Sequence, residues 1–277
     1  MKKALTAALC QMAVLPDKDT NLKTAREMVK QAADQGARLI SLPEMFNGSY
    51  QPRVMEQNAE LYPGKTSDFL ASLAQELQIT LVGGSIAEKD RNGRLYNTSF
   101  VFGPRGELLA RHRKMHLFDI DIPGKVTFQE SSVLSAGNDL QIFEVDGIKA
   151  AVIICYDVRF PEIFRILADR NVEVVLVPAA FTIPTGAVHW EITMRTRAID
   201  NQIFLLAISP ARVPESDYQP WGHSLIADPW GQISGEAQLA PEIIVRNLDL
   251  GRLAEVRAEL PLLQHRRTDL YQLTTVW

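Results

Sequence analysis

Short apolar runs that alternate with segments of helical period restrict the fold of this chain more than any other feature. "ARLISLPE", "ITLVGGSIA", "VEVVLVPAAF" and "IFLLAIS" each have the length of a buried strand and are too short for a core helix. Ahead of the first, "TNLKTAREMVKQAADQG" puts Leu22, Ala25, Met28, Val29, Ala32 and Ala33 on one helical face, and Gly36 supplies a stop. "SDFLASLAQELQ" repeats that pattern, and further helices are expected from about Val188 to Asn201 and from Gly251 onward. Hairpin signals are interleaved with these. "RNGR" and "GPRG" flank "LYNTSFVF", Asp146-Gly147 separates "LQIFEV" from "IKAAVIIC", and "EIIVRNLDL" reads as a late strand. Strand–helix alternation mixed with hairpins predicts an α/β protein of stacked sheets covered by outer helices.

Neither a repeat nor a low-complexity linker interrupts the 277 residues, so a single domain spanning 1–277 is expected. The N-terminal "MKKALTAALCQMAVL" carries a basic start and an apolar stretch, as a secretory signal does. Gln11 interrupts that stretch, however, and Leu9 rather than a small residue precedes Cys10. Alternation through Ala7, Leu9, Gln11 and Ala13 fits a first strand better. No other stretch has the length and apolarity to span a bilayer. A net charge of −4 argues against nucleic acid and gives no pull toward an anionic membrane. Two cysteines 145 positions apart make no disulfide framework, and reduced thiols in the cytoplasm are the expectation. His116 to Gly137 shows no clear period, and a connection of that length is more often functional than passive.

Chemistry concentrates at four places. In "AAVIICYDVRFPE" the apolar strand ends at Cys155, and a helix can start at Pro161-Glu162. Cys155 reads either as a small core residue, since free cysteine is among the most buried types, or as a nucleophile near a helix start. Glu44 ends "ARLISL" directly after Pro43, where a carboxylate could exchange a proton with a thiol; the blander reading is a cap or surface turn. Lys114 lies in "ARHRKMHLFD", whose basic residues otherwise read as a solvated face. His112 and His116 would share a face if that segment were helical, but "ELLARHRK" reads as strand and no further ligand cluster supports a metal site. Glu130, in "FQESSVLSAG", is a loop carboxylate unless the long loop folds inward. Taken together, a thiol, a base and a cation form the set needed to hydrolyse an unactivated amide or nitrile.

Those three segments, "LPEMF", "RKMHLFD" and "CYDVRFPE", in that order, resemble the carbon–nitrogen hydrolase (nitrilase) superfamily. The resemblance runs from "AALCQM" to "RRTDLY" and implies a four-layer α-β-β-α sandwich with a Glu44–Lys114–Cys155 triad, supported by Glu130. Within the superfamily, "KMHLFDIDIPGKVTFQES", "TGAVHWEITMRTRAIDNQIFLLAISPAR" and "WGHSLIADPWG" are similar to omega-amidases, which hydrolyse 2-oxoglutaramate and 2-oxosuccinamate. The implied chemistry passes through a thioester, with Lys114 and the Tyr156 backbone N–H on the oxyanion, and needs no metal or organic cofactor. Amidases for deaminated glutathione, N-carbamoyl hydrolases and nitrilases share the triad and stand as alternatives, as does a non-catalytic binding protein on the same fold. The loop after Glu44 departs from the usual pattern: "MFNGSYQP" has no proline directly before Tyr50, the expected substrate-side residue. Arg159, Lys125, Arg195 and Arg197 are available to meet a substrate carboxylate. His189-Trp190-Glu191 and Trp221-Gly222-His223 read as scaffold or pocket wall. A homodimer is implied, with the C-terminal segment, about 260–277, at its interface.

Overall fold

Strands that are apolar on both faces need a covering layer on each side. In the computed structural model, which describes residues 4–123, 126–214, 216 and 218–275, both layers are supplied twice. Strand β1 (Ala4–Gln11) leads into helix α1 (Lys18–Asp34), whose first turn is capped by the Asp17 carboxylate accepting from the Thr20 N–H at 2.8 Å. Strand β2 (Leu39–Ser41), helices α2 (Pro52–Asn58) and α3 (Lys65–Leu77), and strands β3 (Thr80–Val82), β4 (Ile86–Lys89), β5 (Leu95–Phe102) and β6 (Leu108–Arg113) follow. A hairpin of β7 (Asp119–Ile122) and β8 (Val126–Gln129) then ends in a 3₁₀ turn at Glu130–Ser132.

The second half begins with β9 (Ile142–Val145) and β10 (Ile148–Val152), an antiparallel pair joined at Asp146-Gly147. Both turn residues have positive φ, 49° and 75°, as the tight hairpin turn requires. A 3₁₀ turn at Cys155–Arg159 runs into α4 (Pro161–Asp169). Then come β11 (Val174–Pro178), α5 (Ile183–Asn201), β12 (Phe204–Ile208), β13 (Leu225–Ala227), β14 (Ile233–Glu236), β15 (Glu242–Asp249) and α6 (Leu250–Glu259).

One sheet has the order β15-β1-β2-β3-β5-β4, with β6 on the other edge of β5; the other has the order β14-β13-β12-β11-β10-β9. Their inner faces meet in one core, where Leu5, Leu9, Leu39 and Val82 face Val152, Leu176, Leu206 and Ile226. The outer face of the first sheet packs Ala8, Cys10 and Ile40 against Leu22 and Val29 of α1 and Leu70 of α3. The outer face of the second packs Val175 and Val177 against Phe164 of α4 and Trp190 and Met194 of α5. The architecture is therefore the four-layer α-β-β-α sandwich. Among the described residues no helix is long and apolar enough to cross a membrane.

Four local expectations change. "ITLVGGSIA" is two strands, because Gly83-Gly84 breaks it between β3 and β4. His116 to Gly137 is not irregular: it holds the β7–β8 hairpin and the 3₁₀ turn, whose elements are too short to show a period. Helix α5 starts at Ile183, with Pro184 in its first turn, rather than at Val188. Helix α2 and strands β13 and β14 carry no periodic signal that would have announced them.

Gly84 couples this scaffold to the residues beside it. It has φ +53°, and a Cβ there would overlap the Pro43 carbonyl oxygen, directly before Glu44. Gly84→Ala should therefore lower stability by more than about 2 kcal/mol. Chemical denaturation at constant m-value checks this, and an unchanged midpoint would show that the turn has slack.

Candidate active site

Three turns at one end of the sandwich bring the candidate side chains together. Glu44 follows β2, where Pro43 ends the strand and Met45 takes a left-handed φ of +51°. The neighbouring Ser85 holds this turn, its Oγ accepting from the Met45 N–H at 3.0 Å and its carbonyl from the Phe46 N–H at 3.2 Å. Lys114 lies just past β6, its N–H donating to the Asn97 carbonyl and its own carbonyl accepting from the Gly137 N–H, each at 2.8 Å. Glu130 opens the 3₁₀ turn after β8 and is buried, which removes the reading of a solvated loop carboxylate.

The Lys114 ammonium has no exposure. It donates to Glu44 Oε1 at 3.1 Å, to Glu130 Oε2 at 2.8 Å and to the Tyr50 hydroxyl at 3.2 Å, so all three of its protons have acceptors. Tyr50 in turn donates to Glu130 Oε1 at 3.1 Å, and the Phe118 N–H donates to Glu130 Oε2 at 2.7 Å. Tyr50 is thus a buried member of the charge cluster as well as a wall residue. Gly48 does not simply loosen the loop before it. A Cβ there would overlap the Asn58 amide, so the glycine allows the loop to close on α2.

Asn97 was not among the expected site residues. Its amide donates to Glu44 Oε1 at 2.8 Å and reaches Glu130 Oε1 at 3.3 Å, bridging the two carboxylates. The available signal was a polar "NTS" inside an otherwise apolar strand, at a position that is fully buried.

Cys155 arrives from the opposite sheet, just past the end of β10, with a φ of +45° that only glycine adopts freely. Its thiol couples electrostatically to Glu44 and to Lys114, and the Ala180 backbone N–H, which the sequence did not reveal, pulls its pKa down. Glu44 Oε2 has no other hydrogen-bonding partner among the described residues, which leaves it for the thiol side of the site. The Tyr156 N–H lies in the first turn of the 3₁₀ segment, where N–H groups have no intrahelical acceptor. The Tyr156 ring packs edge-on against Phe118 and Phe160.

Burial and neighbouring charge set the protonation states. Burial raises the Glu44 carboxyl above its ordinary range; Lys114 opposes this and Glu130 reinforces it. Burial also works against the Lys114 charge, but Glu130 and Glu44 outweigh it and hold the ammonium well above the usual lysine value. The Cys155 thiol is pushed well up, by burial first and the Glu44 charge second, against the pull of Lys114 and the Ala180 N–H. At rest the site is therefore a protonated thiol beside a carboxylate of raised basicity and a locked ammonium. Cys10 is a core residue, with no exposure and a pKa pushed up to about 12 by burial alone.

A narrow cleft opens at Cys155 between Phe118, Tyr156, Arg159, Phe181 and Thr185. Of the cationic candidates among the described residues, only Arg159 faces it. Its guanidinium lies 4.8 Å from the Phe181 ring centroid and 3.3 Å from His189 Nδ1, with no carboxylate paired to it among the described residues. Arg195 is tied to the Gly231 carbonyl and Glu191, and Arg197 to the Val158 and Arg159 carbonyls. Lys125 lies outside the described residues. Trp190 donates from Nε1 to the His223 carbonyl at 2.6 Å, which ties the two aromatic–histidine segments together, and Trp190, Glu191, Trp221 and His223 line a second pocket away from Cys155. His112 and His116 do not share a helix face; both converge on Asp157. Among the described residues no group of three or more His, Cys, Asp or Glu is placed to hold a metal ion.

The carbon–nitrogen hydrolase family model matches residues 6–258. The omega-amidase NIT2 of Mus musculus is 46% identical over 264 residues, 95% of each chain, and that of Homo sapiens is 44% identical over 264 residues, again 95% of each. Among solved structures, Saccharomyces cerevisiae Nit3, a member of branch 10 of the nitrilase superfamily, superposes with a TM-score of 0.89 at 36% identity, over 96% of this chain and 97% of that one.

The two thiols should differ sharply toward iodoacetamide. Peptide mapping of the native protein should find Cys155 alkylated and Cys10 untouched, with labelling that accelerates as pH rises through and above neutrality, because Cys155 titrates high. In Glu44→Gln the like charge is gone while Lys114 remains, so the labelling profile should move to lower pH. A shift to higher pH would show that the Glu44 charge does not raise the thiol.

Proposed function

The chain belongs to the carbon–nitrogen hydrolase family and is an amidase, and on that premise we propose that it is an omega-amidase acting on 2-oxoglutaramate and 2-oxosuccinamate through a Glu44–Lys114–Cys155 triad. Glu44 takes the proton of the Cys155 thiol, and the thiolate attacks the amide carbon. The Lys114 ammonium and the Tyr156 N–H stabilise the negative oxygen that forms. Glu44 returns its proton to the departing nitrogen, ammonia leaves, and the acyl group stays on sulfur as a thioester. Glu44 then takes a proton from water, which attacks the thioester; the acid departs and the thiol regains its proton. Glu130 and Glu44 keep the ammonium charged, Tyr50 accepts its third proton, Asn97 bridges the two carboxylates, and Tyr50 also forms one wall for the substrate.

The observation that carries the substrate assignment is Arg159. A cation that lacks a carboxylate partner among the described residues and lines the Cys155 cleft is the group a substrate with its own carboxylate requires. The names of the relatives, omega-amidase at 44–46% identity over nearly the full length, support the same reading.

A cytoplasmic homodimer of single-domain chains completes the proposal. It is supported by two free thiols and by an apolar stripe on α5, where Val188 and Ile192 are 65% and 64% exposed. The C-terminal segment exposes Leu270 and Tyr271, while its last residues, Val276 and Trp277, lie outside the described residues. Tyr218, from "RVPESDYQPWG", packs on Tyr50 at 5.0 Å between ring centroids and so belongs to the site wall.

Purified protein should release ammonia from 2-oxoglutaramate faster than from a panel of neutral amides, carbamoyl compounds and nitriles, and Cys155→Ala should reduce this to background. Arg159→Met should raise KM for the keto-acid amide about 10- to 100-fold and leave a neutral amide unaffected. Equal losses on both substrates would remove Arg159 from substrate recognition, and preference for another panel member would replace the omega-amidase assignment. Sedimentation of Ile192→Lys should show a lighter species than wild type; unchanged sedimentation would remove α5 from any interface.

A further inference from the structure

The proposed chemistry makes no use of Asp157, a fully buried carboxylate two residues beyond Cys155. One oxygen, Oδ2, accepts from the Ile154 N–H at 3.1 Å and from His112 Nε2 at 3.1 Å. The other, Oδ1, accepts from the His116 N–H and from His116 Nδ1, each at 2.9 Å. Burial alone would favour the neutral acid, but the hydrogen bonds from His112 and His116 outweigh it and hold Asp157 ionised well below the usual range. These partners come from both halves of the sandwich. Ile154 ends the chain segment that delivers the thiol, whereas His112 and His116 stand two residues to either side of Lys114.

A second observation extends the chain of contacts. His112 Nδ1 and Ser99 Oγ are both buried and both lack a hydrogen-bond partner among the described residues. Ser99 and His112 are directly opposed across the β5–β6 pair, so their side chains emerge on the same face within reach of each other.

We propose that Asp157 is a positioning residue: with His112, His116 and Ser99 it locks the Lys114 strand of one sheet to the Cys155 turn of the other, and so sets the geometry between ammonium and thiol. It contacts neither substrate nor reacting atoms. Its loss changes where the catalytic groups stand, not which groups are present. The inference rests on Cys155 being the nucleophile.

The test compares Asp157→Asn, His112→Phe and His112→Gln with wild type and Cys155→Ala, in turnover of 2-oxoglutaramate, in the pH profile of Cys155 alkylation and in thermal unfolding. Asp157→Asn and His112→Phe should lower kcat per titratable Cys155 thiol about 10²-fold, the cost of misplacing a reacting group, with KM nearly unchanged, and should move the alkylation profile. His112→Gln keeps an N–H near the Nε2 position and should recover most of the loss. If the variants unfold more easily but keep wild-type kcat per thiol and a wild-type alkylation profile, the role is structural only and the proposal falls. If Asp157→Asn does not fold, the His112 pair decides: equal activity of Phe and Gln overturns the lock. Residual turnover in Cys155→Ala would overturn the nucleophile itself, an outcome separate from any of these.

Discussion

The Lys114 ammonium is sealed from water, and the site holds together because Glu44, Glu130 and Tyr50 accept all three of its protons. An ion buried without such partners costs several kcal/mol. The cluster tolerates one ammonium between two carboxylates, and a third negative charge on sulfur would add repulsion that Lys114 and the Ala180 N–H must offset. Burial first, and that repulsion second, keep the thiol protonated at rest. Its proton leaves only when the charge can pass onward to a substrate oxygen. The same balance makes Glu130 and Asn97 part of the site's electrostatics although neither is aimed at the bond to be broken.

The groups that must cooperate come from different sheets. Glu44 and Lys114 extend from strands of one sheet, Glu130 from the hairpin that follows it, and Cys155 from the other sheet. Side chains on one rigid element keep their spacing without help, but residues on facing sheets keep theirs only as well as the core between them is packed. The inner core of Leu9, Leu39, Val152 and Leu176 sets that spacing coarsely. Polar contacts at the open end, above all those to Asp157, act where the packing ends.

Much of this was legible in the sequence. Helix α1 announced itself by period and stop, and Asp146-Gly147 specified its hairpin because few other pairs accept positive φ twice. Glu44, Lys114 and Cys155 could be found because each stands at a strand end, where apolar alternation breaks off. Glu130 stood out in the sequence only as a polar residue of the long loop, and its support of the triad came only through family resemblance, since its burial depends on β7 and β8, whose alternating "DIDI" and "VTFQ" are four residues each and too short to announce strands. Asn97 and Asp157 were missed for a physical reason. A polar residue within a strand, or just after a nucleophile, looks like a solvent contact until the neighbour that satisfies it is known. For Asn97 that neighbour is 53 residues away, and for Asp157 it is 41 and 45. Arg159 stood out from Arg195 and Arg197 only once the carbonyls that occupy the other two were known.

The left-handed backbone at Cys155 bears on how such a protein drifts. A cysteine there carries a conformational cost of about 1–3 kcal/mol that a glycine would not. At this position the inactive replacement is favoured by the backbone, so mutation pressure and folding stability both lean toward loss of the thiol. Only a continuing demand for the reaction holds it there. A duplicated copy freed from that demand would shed this backbone strain at the step in which it lost its chemistry.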